Sequence, residues 1–277
     1  MKSKITFGNA VSMEQPDMIH FVKNYHSEYV KDQYISNAYS FCIHEGAPVI
    51  TTAIQDASTD LIFYREMNGD SQGILLVGPA KEMTKNYITF LDETEYFGVR
   101  FKPGIALDFG KIHTSELYGR ILNMQCDELI QLNQQLASKQ DLAEKLMLIR
   151  RNMDQFVKQR DDTKTMITNN IIDLMIQNKS NIKLEELAKY MGYTSYYLNK
   201  VFRAHTGYSI GKYHSLIRCH AVLNEYERLR DTSFKVDQSA IALKMGYSDQ
   251  AHMIREFKKY LGITPSQYWR QYYGKNL

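Results

Sequence analysis

A near-duplication limits what the C-terminal part of this chain can fold into: Met191 opens "MGYTSYYLNKVF" and Met245 opens "MGYSDQAHMIREF". Each copy sets a small residue, Ala188 or Ala242, four positions before a glycine, Gly192 or Gly246. A small residue lets a second helix approach closely, and glycine takes the positive φ at which a helix ends in a sharp turn. Thr194 and Asp249 then supply N-caps for the next helix. Two helix-turn-helix units are expected. Aligned backward from Phe202 and Phe257, the second helices match through their closing glycines, Gly207 and Gly262. The one extra residue, Ser248, falls in the turn.

Helical spacing divides each second helix into an inner and an outer face. In the first, Leu198 and Phe202 lie one turn apart and point inward, leaving Ser195, Tyr196, Asn199, Lys200 and Arg203 outside. In the second, Met253 and Phe257 take the inward places, and Gln250, Ala251, Ile254, Arg255 and Lys258 are outside. Asn, Gln, Arg and Lys carry donors and acceptors that match base edges in the major groove, and Ala or Ile can touch a thymine methyl. Residues 209–228 lie between the units. A helix of that length spans roughly 30 Å, close to the ~34 Å between successive major grooves on one face of a duplex. A helical bundle with a duplicated packing motif and no DNA contact is the plain alternative.

The net charge of +3 hides a division. Residues 1–162 hold 17 Lys+Arg against 22 Asp+Glu, and residues 163–277 hold 17 against 9, so the second part is net +8. Basic side chains that displace counterions from phosphates gain affinity for any polyanion.

Residues 1–115 read mainly as strands: "PVITTAIQ", "TDLIFYREM", "GILLVGP" and "YFGVRFKPG" are β-branched or aromatic runs broken by Gly, Pro and Asn-Gly-Asp. From Ser115 the spacing becomes helical, with Leu129, Leu132 and Leu136, then Leu142, Leu146, Ile149 and Met153, as apolar stripes. Either the chain's own sheet covers them or a second copy does, which would make a homodimer. The charged run "KQRDDTK" marks a domain boundary. Three segments follow: 1–115, a strand-rich domain; 116–162, a helical linker; and 163–277, the basic helical part with the two expected helix-turn-helix units. No run of 18 apolar residues occurs, and Cys42, Cys126 and Cys219 are scattered, so neither a membrane span nor a disulfide framework is expected and a reducing cytoplasm fits.

With these residues in place, the C-terminal part resembles the DNA-binding domain of the AraC/XylS family of bacterial transcription regulators over about residues 165–272. The resemblance rests on "ELAKYMGYTSYYLNKVFRAHTGYSIGKYHSLIRCHAVL", on "IALKMGYSDQAHMIREFKKYLGITPSQYWRQ", on the spacing of Tyr213 and Arg218, and on Gly262, Pro265 and Tyr268. It implies an α+β chain, with a cupin-like antiparallel β-barrel sensor domain, a helical linker and an all-α domain of two helix-turn-helix units. It implies base-facing Ser195, Tyr196, Asn199 and Lys200, then Gln250, Ala251, Ile254 and Arg255. It further implies double-stranded DNA, a small-molecule effector and RNA polymerase as partners, and an effector-responsive activator. A small-molecule-binding protein or enzyme with a helical interaction module remains the alternative.

Other chemistries leave little trace. His44-Glu45 is the only adjacent His–carboxylate pair, without a His-x-His, and His20, His26 and His113 stand apart, so no metal or other cofactor is expected. "GILLVGPAKE" lacks the Gly-Lys-Ser/Thr of a phosphate loop, and no Gly-x-Ser-x-Gly elbow occurs; catalysis is not expected. For an effector, the sensor offers Tyr25, Tyr34, Tyr39, Tyr64 and Phe63 as pocket walls, with Arg65, Arg100 and Lys102 as anion holders. Tyr39, Tyr64, Arg65 and Arg100 are the leading effector-binding candidates.

Overall fold

The computed structural model describes residues 4–6, 13, 15–22, 24–44, 49–69, 71–80, 84–105, 107, 117–157, 163–178, 182–231 and 236–274. In the N-terminal part, β1 (Lys4–Thr6) and α1 (Pro16–Phe21) precede β2 (His26–Tyr29), β3 (Ile35–Ile43), β4 (Val49–Ala53), β5 (Thr59–Glu66), β6 (Gln72–Val77), β7 (Thr84–Phe90), β8 (Thr94–Phe101) and β9 (Ile121–Asn123). Seven strands join in the order β1-β2-β3-β8-β5-β6-β9, and β4 pairs with β7 in a second sheet. All pairings are antiparallel except β1 with β2. The expected sheet-rich N-terminal domain is present as two sheets; the pairings among the described residues do not close the expected barrel.

Alternation along the central strands decides what each face buries. Leu61 and Phe63 of β5, with Phe97, Val99 and Phe101 of β8, enter one core. Ile62 and Tyr96 enter another, with Phe41, Phe90 and Met18. The first face is covered by α2 (Asp127–Ala137) and α3 (Leu142–Phe156), which bring in Leu129, Leu132, Leu136, Leu142, Ile149 and Met153. The chain's own sheet therefore covers the apolar stripes that the sequence left open to a second copy. Since β9 pairs with β6, the sheet runs on into the segment read as linker.

The C-terminal part is helical: α4 (Thr163–Gln177), α5 (Leu184–Met191), α6 (Ser195–Thr206), α7 (Ile210–Leu229), α8 (Gln238–Lys244), α9 (Gln250–Leu261) and α10 (Pro265–Tyr273). The central α7 is 20 residues long and buried nearly all round, as a helix between two units must be. Its core also takes in Met13, Ile54 and Ala57 from the N-terminal part. Polar contacts join the same two parts: Tyr208 Oη donates to the Ala80 carbonyl at 3.2 Å, Lys102 Nζ meets Asp173 Oδ1 at 2.8 Å, and Tyr272 Oη donates to Asp17 Oδ1 at 2.7 Å. Among the described residues, no helix is long and apolar enough to cross a membrane.

Candidate nucleic-acid interface and sensor cavity

The duplicated residues build two units with matched interiors. Gly192 ends α5 at φ +73°, and Gly246 follows α8 at φ +76°, a region strained for any residue with a Cβ. Thr194 Oγ1 then accepts from the Tyr197 amide at 3.2 Å, and Asp249 Oδ1 from the His252 amide at 2.7 Å, capping α6 and α9. Leu198, Phe202, Met253 and Phe257 are fully buried. Arg218 of α7 binds the second unit: it donates to the Gly246 carbonyl at 3.1 Å and to Glu256 Oε2 at 2.9 Å, and its guanidinium lies 4.6 Å from the Tyr247 ring centroid. Tyr213 is buried against Phe202 of the first unit. The Tyr213–Arg218 spacing thus serves the joint between the units.

The outer faces are as open as helical spacing requires. On α6, Tyr196 is 79% exposed, Lys200 and Arg203 are exposed, and Ser195 and Asn199 are half-buried. On α9, Gln250, Ala251, Arg255 and Lys258 are exposed and Ile254 is half-buried. Two of these residues carry a structural bond as well. Asn199 Oδ1 accepts from the Ile210 amide at 2.9 Å, satisfying one of the orphan donors at the start of α7. Gln250 Oε1 accepts from Ser239 Oγ at 3.0 Å. Sequence reasoning missed two exposed apolar side chains on the lead helices, Tyr190 at 76% and Leu243 at 65%. Each sits one or two residues before its Met-Gly-Tyr, a position that the pattern of the second helices does not reach.

Between the two sheets lies a cavity with about 50 Å³ of free space, room for a few waters on the scale where one needs about 10–15 Å³. Ile62, Val77, Ile88 and Phe90 give it apolar walls, and Asp56, Asp60 and Arg100 meet within it. Arg100 closes its fork on Asp60, Nε to Oδ1 at 3.0 Å and Nη2 to Oδ2 at 3.1 Å, and its Nη1 donates to the Met13 carbonyl. Tyr39 Oη donates to Asp60 Oδ1 at 3.1 Å. Asp56 accepts from Gln15 Nε2 at 2.8 Å and from the Ser58 amide at 3.0 Å, with Arg100 Nη2 at 3.5 Å. Burial pushes the Asp56 carboxyl up to about 6, against the pull of Arg100. Behind this wall, His220 of α7 pairs Nε2 with the Gln55 carbonyl at 3.0 Å. Burial lowers its imidazole to about 4, so it is neutral and donates there.

Of the four leading effector candidates, Tyr39 and Arg100 line this cavity, as does Tyr25. Tyr64 and Arg65 lie outside it, Tyr64 beside Tyr96 and Arg65 in a half-exposed pair with Glu95 at 3.3 Å. Phe63 and Tyr34 pack in the opposite core, and Lys102 is spent on Asp173. The reading missed Asp56 and Asp60, although two acids inside the otherwise apolar or small "AIQDASTDL" were a signal. His44 is exposed and His26 pairs with Glu28 at 3.1 Å, whereas Glu45 and His113 lie outside the described residues. No cluster of three metal-ligating side chains occurs among the described residues. The Cys42 thiol is half-buried and raised by burial, the reverse of what an oxidation sensor needs.

A family model described as a helix-turn-helix domain matches residues 187–271. A helix-turn-helix domain is what the resemblance to AraC/XylS regulators implies for this part of the chain. Residues 27–123 match a second model, described as a domain of unknown function (DUF6597). The HTH-type transcriptional activator AarP of Providencia stuartii is 35% identical over 89 residues, 32% of this chain and 62% of that protein. The multiple antibiotic resistance protein MarA of Escherichia coli K12 is 26% identical over 110 residues, 39% of this chain and 83% of that protein. The structure of unsaturated fatty acid bound ToxT from Vibrio cholerae aligns over 92% of this chain and 99% of that one, with 12% identity and a TM-score of 0.42. The stretches aligned with AarP and MarA take in 32% and 39% of this chain, and residues 27–123 have a match of their own.

Proposed function

We propose that the protein is a sequence-specific DNA-binding transcription regulator, an activator, whose sensor answers a small-molecule effector. The observation that carries this reading is the pair of capped helices, α6 and α9, on matched buried interiors, each turning a polar and basic face outward from the part of the chain with net charge +8. AarP, similar over 89 residues, is itself named a transcriptional activator. In this reading Ser195, Tyr196, Asn199, Lys200 and Arg203 meet one major groove, and Gln250, Ala251, Ile254, Arg255 and Lys258 the next. Residues 163–277 form the DNA-binding domain, residues 1–115 the sensor and residues 116–162 the connection. The effector occupies the cavity between the sheets, and its shared core with α7 carries the signal. RNA polymerase is the partner in activation, the compartment is the cytoplasm and no catalytic step is assigned. A homodimer, if formed, would use the outer faces of α2 and α3, since the inner faces are covered; Met147, 54% exposed, lies there.

The test is a salt titration of the full chain on duplex DNA. If Lys200, Arg203, Arg255 and Lys258 each neutralise one phosphate or lie as close to the backbone, log K falls against log salt with a slope of roughly −4. Binding that is absent or indifferent to salt refutes the reading.

A further inference from the structure

The sensor cavity was expected to offer arginines or a lysine to an anion, and its geometry points the other way. Among the described residues its lining holds two carboxylates and one guanidinium, so the excess charge is negative. The guanidinium is occupied. Two of its nitrogens face Asp60 near 3 Å and the third faces the Met13 carbonyl, so an incoming anion would have to break a buried bidentate pair to reach it. Asp60, with Tyr39 added, has its charge answered. Asp56 does not. It is 4% exposed and holds two neutral donors, and Arg100 is shared with Asp60 and sits farther away, at 3.5 Å. A carboxylate has about four acceptor positions, so Asp56 keeps room for another donor. Among the described residues, the other titratable groups that pack near it do not supply one: His220 is neutral, and Tyr87 and Tyr208 spend their hydroxyls on the Gly78 and Ala80 carbonyls at 2.9 and 3.2 Å. A buried carboxylate in this position holds a proton or a cation.

We propose that the cavity binds a small organic cation, an alkylammonium of a few heavy atoms, whose charged head docks on Asp56 and whose body lies against Ile62, Val77, Ile88 and Phe90. The free space suits the size. The site also explains how occupancy reaches the DNA-binding domain. Asp56 lies between Ile54 and Ala57, which belong to the core of that domain, and next to Gln55, whose carbonyl holds His220 of α7. The proposal takes the sensor reading above as given and assigns its ligand class.

The test is thermal unfolding of the full chain with three three-carbon probes, propylammonium chloride, propan-1-ol and sodium propionate, at matched ionic strength. Propylammonium should raise the midpoint most and propionate least. Asp56→Asn should weaken propylammonium binding about tenfold or more while leaving the propan-1-ol effect in place. The ranking in the unaltered protein stands even where this variant folds poorly. Propionate in first place would assign the site to an anion on Arg100 and overturn the proposal. Equal effects of amine and alcohol would make the cavity merely apolar, and no effect of any probe would close it to small ligands; either result overturns it too. A DNA titration run in parallel separates the two readings. Salt-dependent DNA binding without an amine preference defeats the cation alone, whereas an amine preference without DNA binding defeats the regulator and leaves the cation supported.

Discussion

The two helix-turn-helix units differ outside and agree inside. Phe202 and Phe257, Leu198 and Met253, and the positive-φ glycines repeat position by position, yet "TSYYLNK" and "DQAHMIR" share almost nothing on the outer face. Inner residues answer to packing, which is the same problem twice, and a missing methylene there is felt at once. Outer residues answer to whatever they touch. If that is DNA, the two helices read different half-sites. The largest test of the comparison is therefore on the inside. Phe202→Ala and Phe257→Ala should each cost about 3–5 kcal/mol in denaturant unfolding. Similar losses would confirm equivalent interiors, and a loss below 1 kcal/mol at either would show that its unit rests on something else.

The comparison extends to the side of the helical part that meets the N-terminal part. His220 of α7 bonds Gln55, and His20 of α1 is caged by the α10 tyrosines, with Tyr268 Oη at 3.2 Å. Burial lowers both imidazoles to about 4. An unfolded chain takes up their protons near pH 6.5 and the folded one resists until about 4, so each costs stability as pH falls through that window, up to about 3 kcal/mol. Asp56 has the opposite sign. Its carboxyl, raised to about 6, is protonated in the folded state while the unfolded one stays ionised, so acidification below 6 stabilises through it. His220→Gln should remove about 3 kcal/mol of the acid-induced loss between pH 6.5 and 4, followed by unfolding at stepped pH. An unchanged profile would mean that His220 accepts its proton in place.

How much of this could be read in advance follows from the same contrast. The repeat exposed the caps, the buried Phe and Leu and the outward faces, because each depends on neighbours within one turn of helix. The apolar stripes of α2 and α3 were visible, but not their cover, since Leu129 or Met153 suits a sheet or a second helix equally well. The cavity was half legible. Tyr39 and Arg100 were marked by residue type, but Asp56 gains its meaning only when β4, β5 and the segment at Gln15 come together across about 40 positions. Arg65 and Arg100 look alike in sequence; one ends in a half-exposed pair and the other in a buried fork. Long-range burial, which local pattern does not encode, decides between them.

On the outer faces smaller effects are expected. Lys200→Ala and Arg255→Ala should each weaken binding at a specific site by about 1–3 kcal/mol if they read a base. Measured on specific and scrambled duplexes, an equal loss on both would make them phosphate contacts, and only the salt slope would change, by about one.

The smallest effect is the most discriminating, because Asn199 belongs to both sides of the comparison. Its Oδ1 already accepts from the Ile210 amide, which fixes the side chain and leaves one lone pair and the amide N–H groups to face a base. Asn199→Asp keeps the acceptor for Ile210 and removes the outward donors, whereas Asn199→Ala removes both. Loss of the cap should cost about 1 kcal/mol of stability. If Asn199 is purely structural, the Asp variant should unfold like the parent and its DNA affinity should fall only by the charge it adds, on every sequence alike. If its donors read a base, the Asp variant should keep its stability and lose affinity at the specific site alone. Gln250, bonded to Ser239 at an exposed helix start, has no such commitment to a buried joint, so Gln250→Ala should leave stability within about 0.5 kcal/mol of the parent.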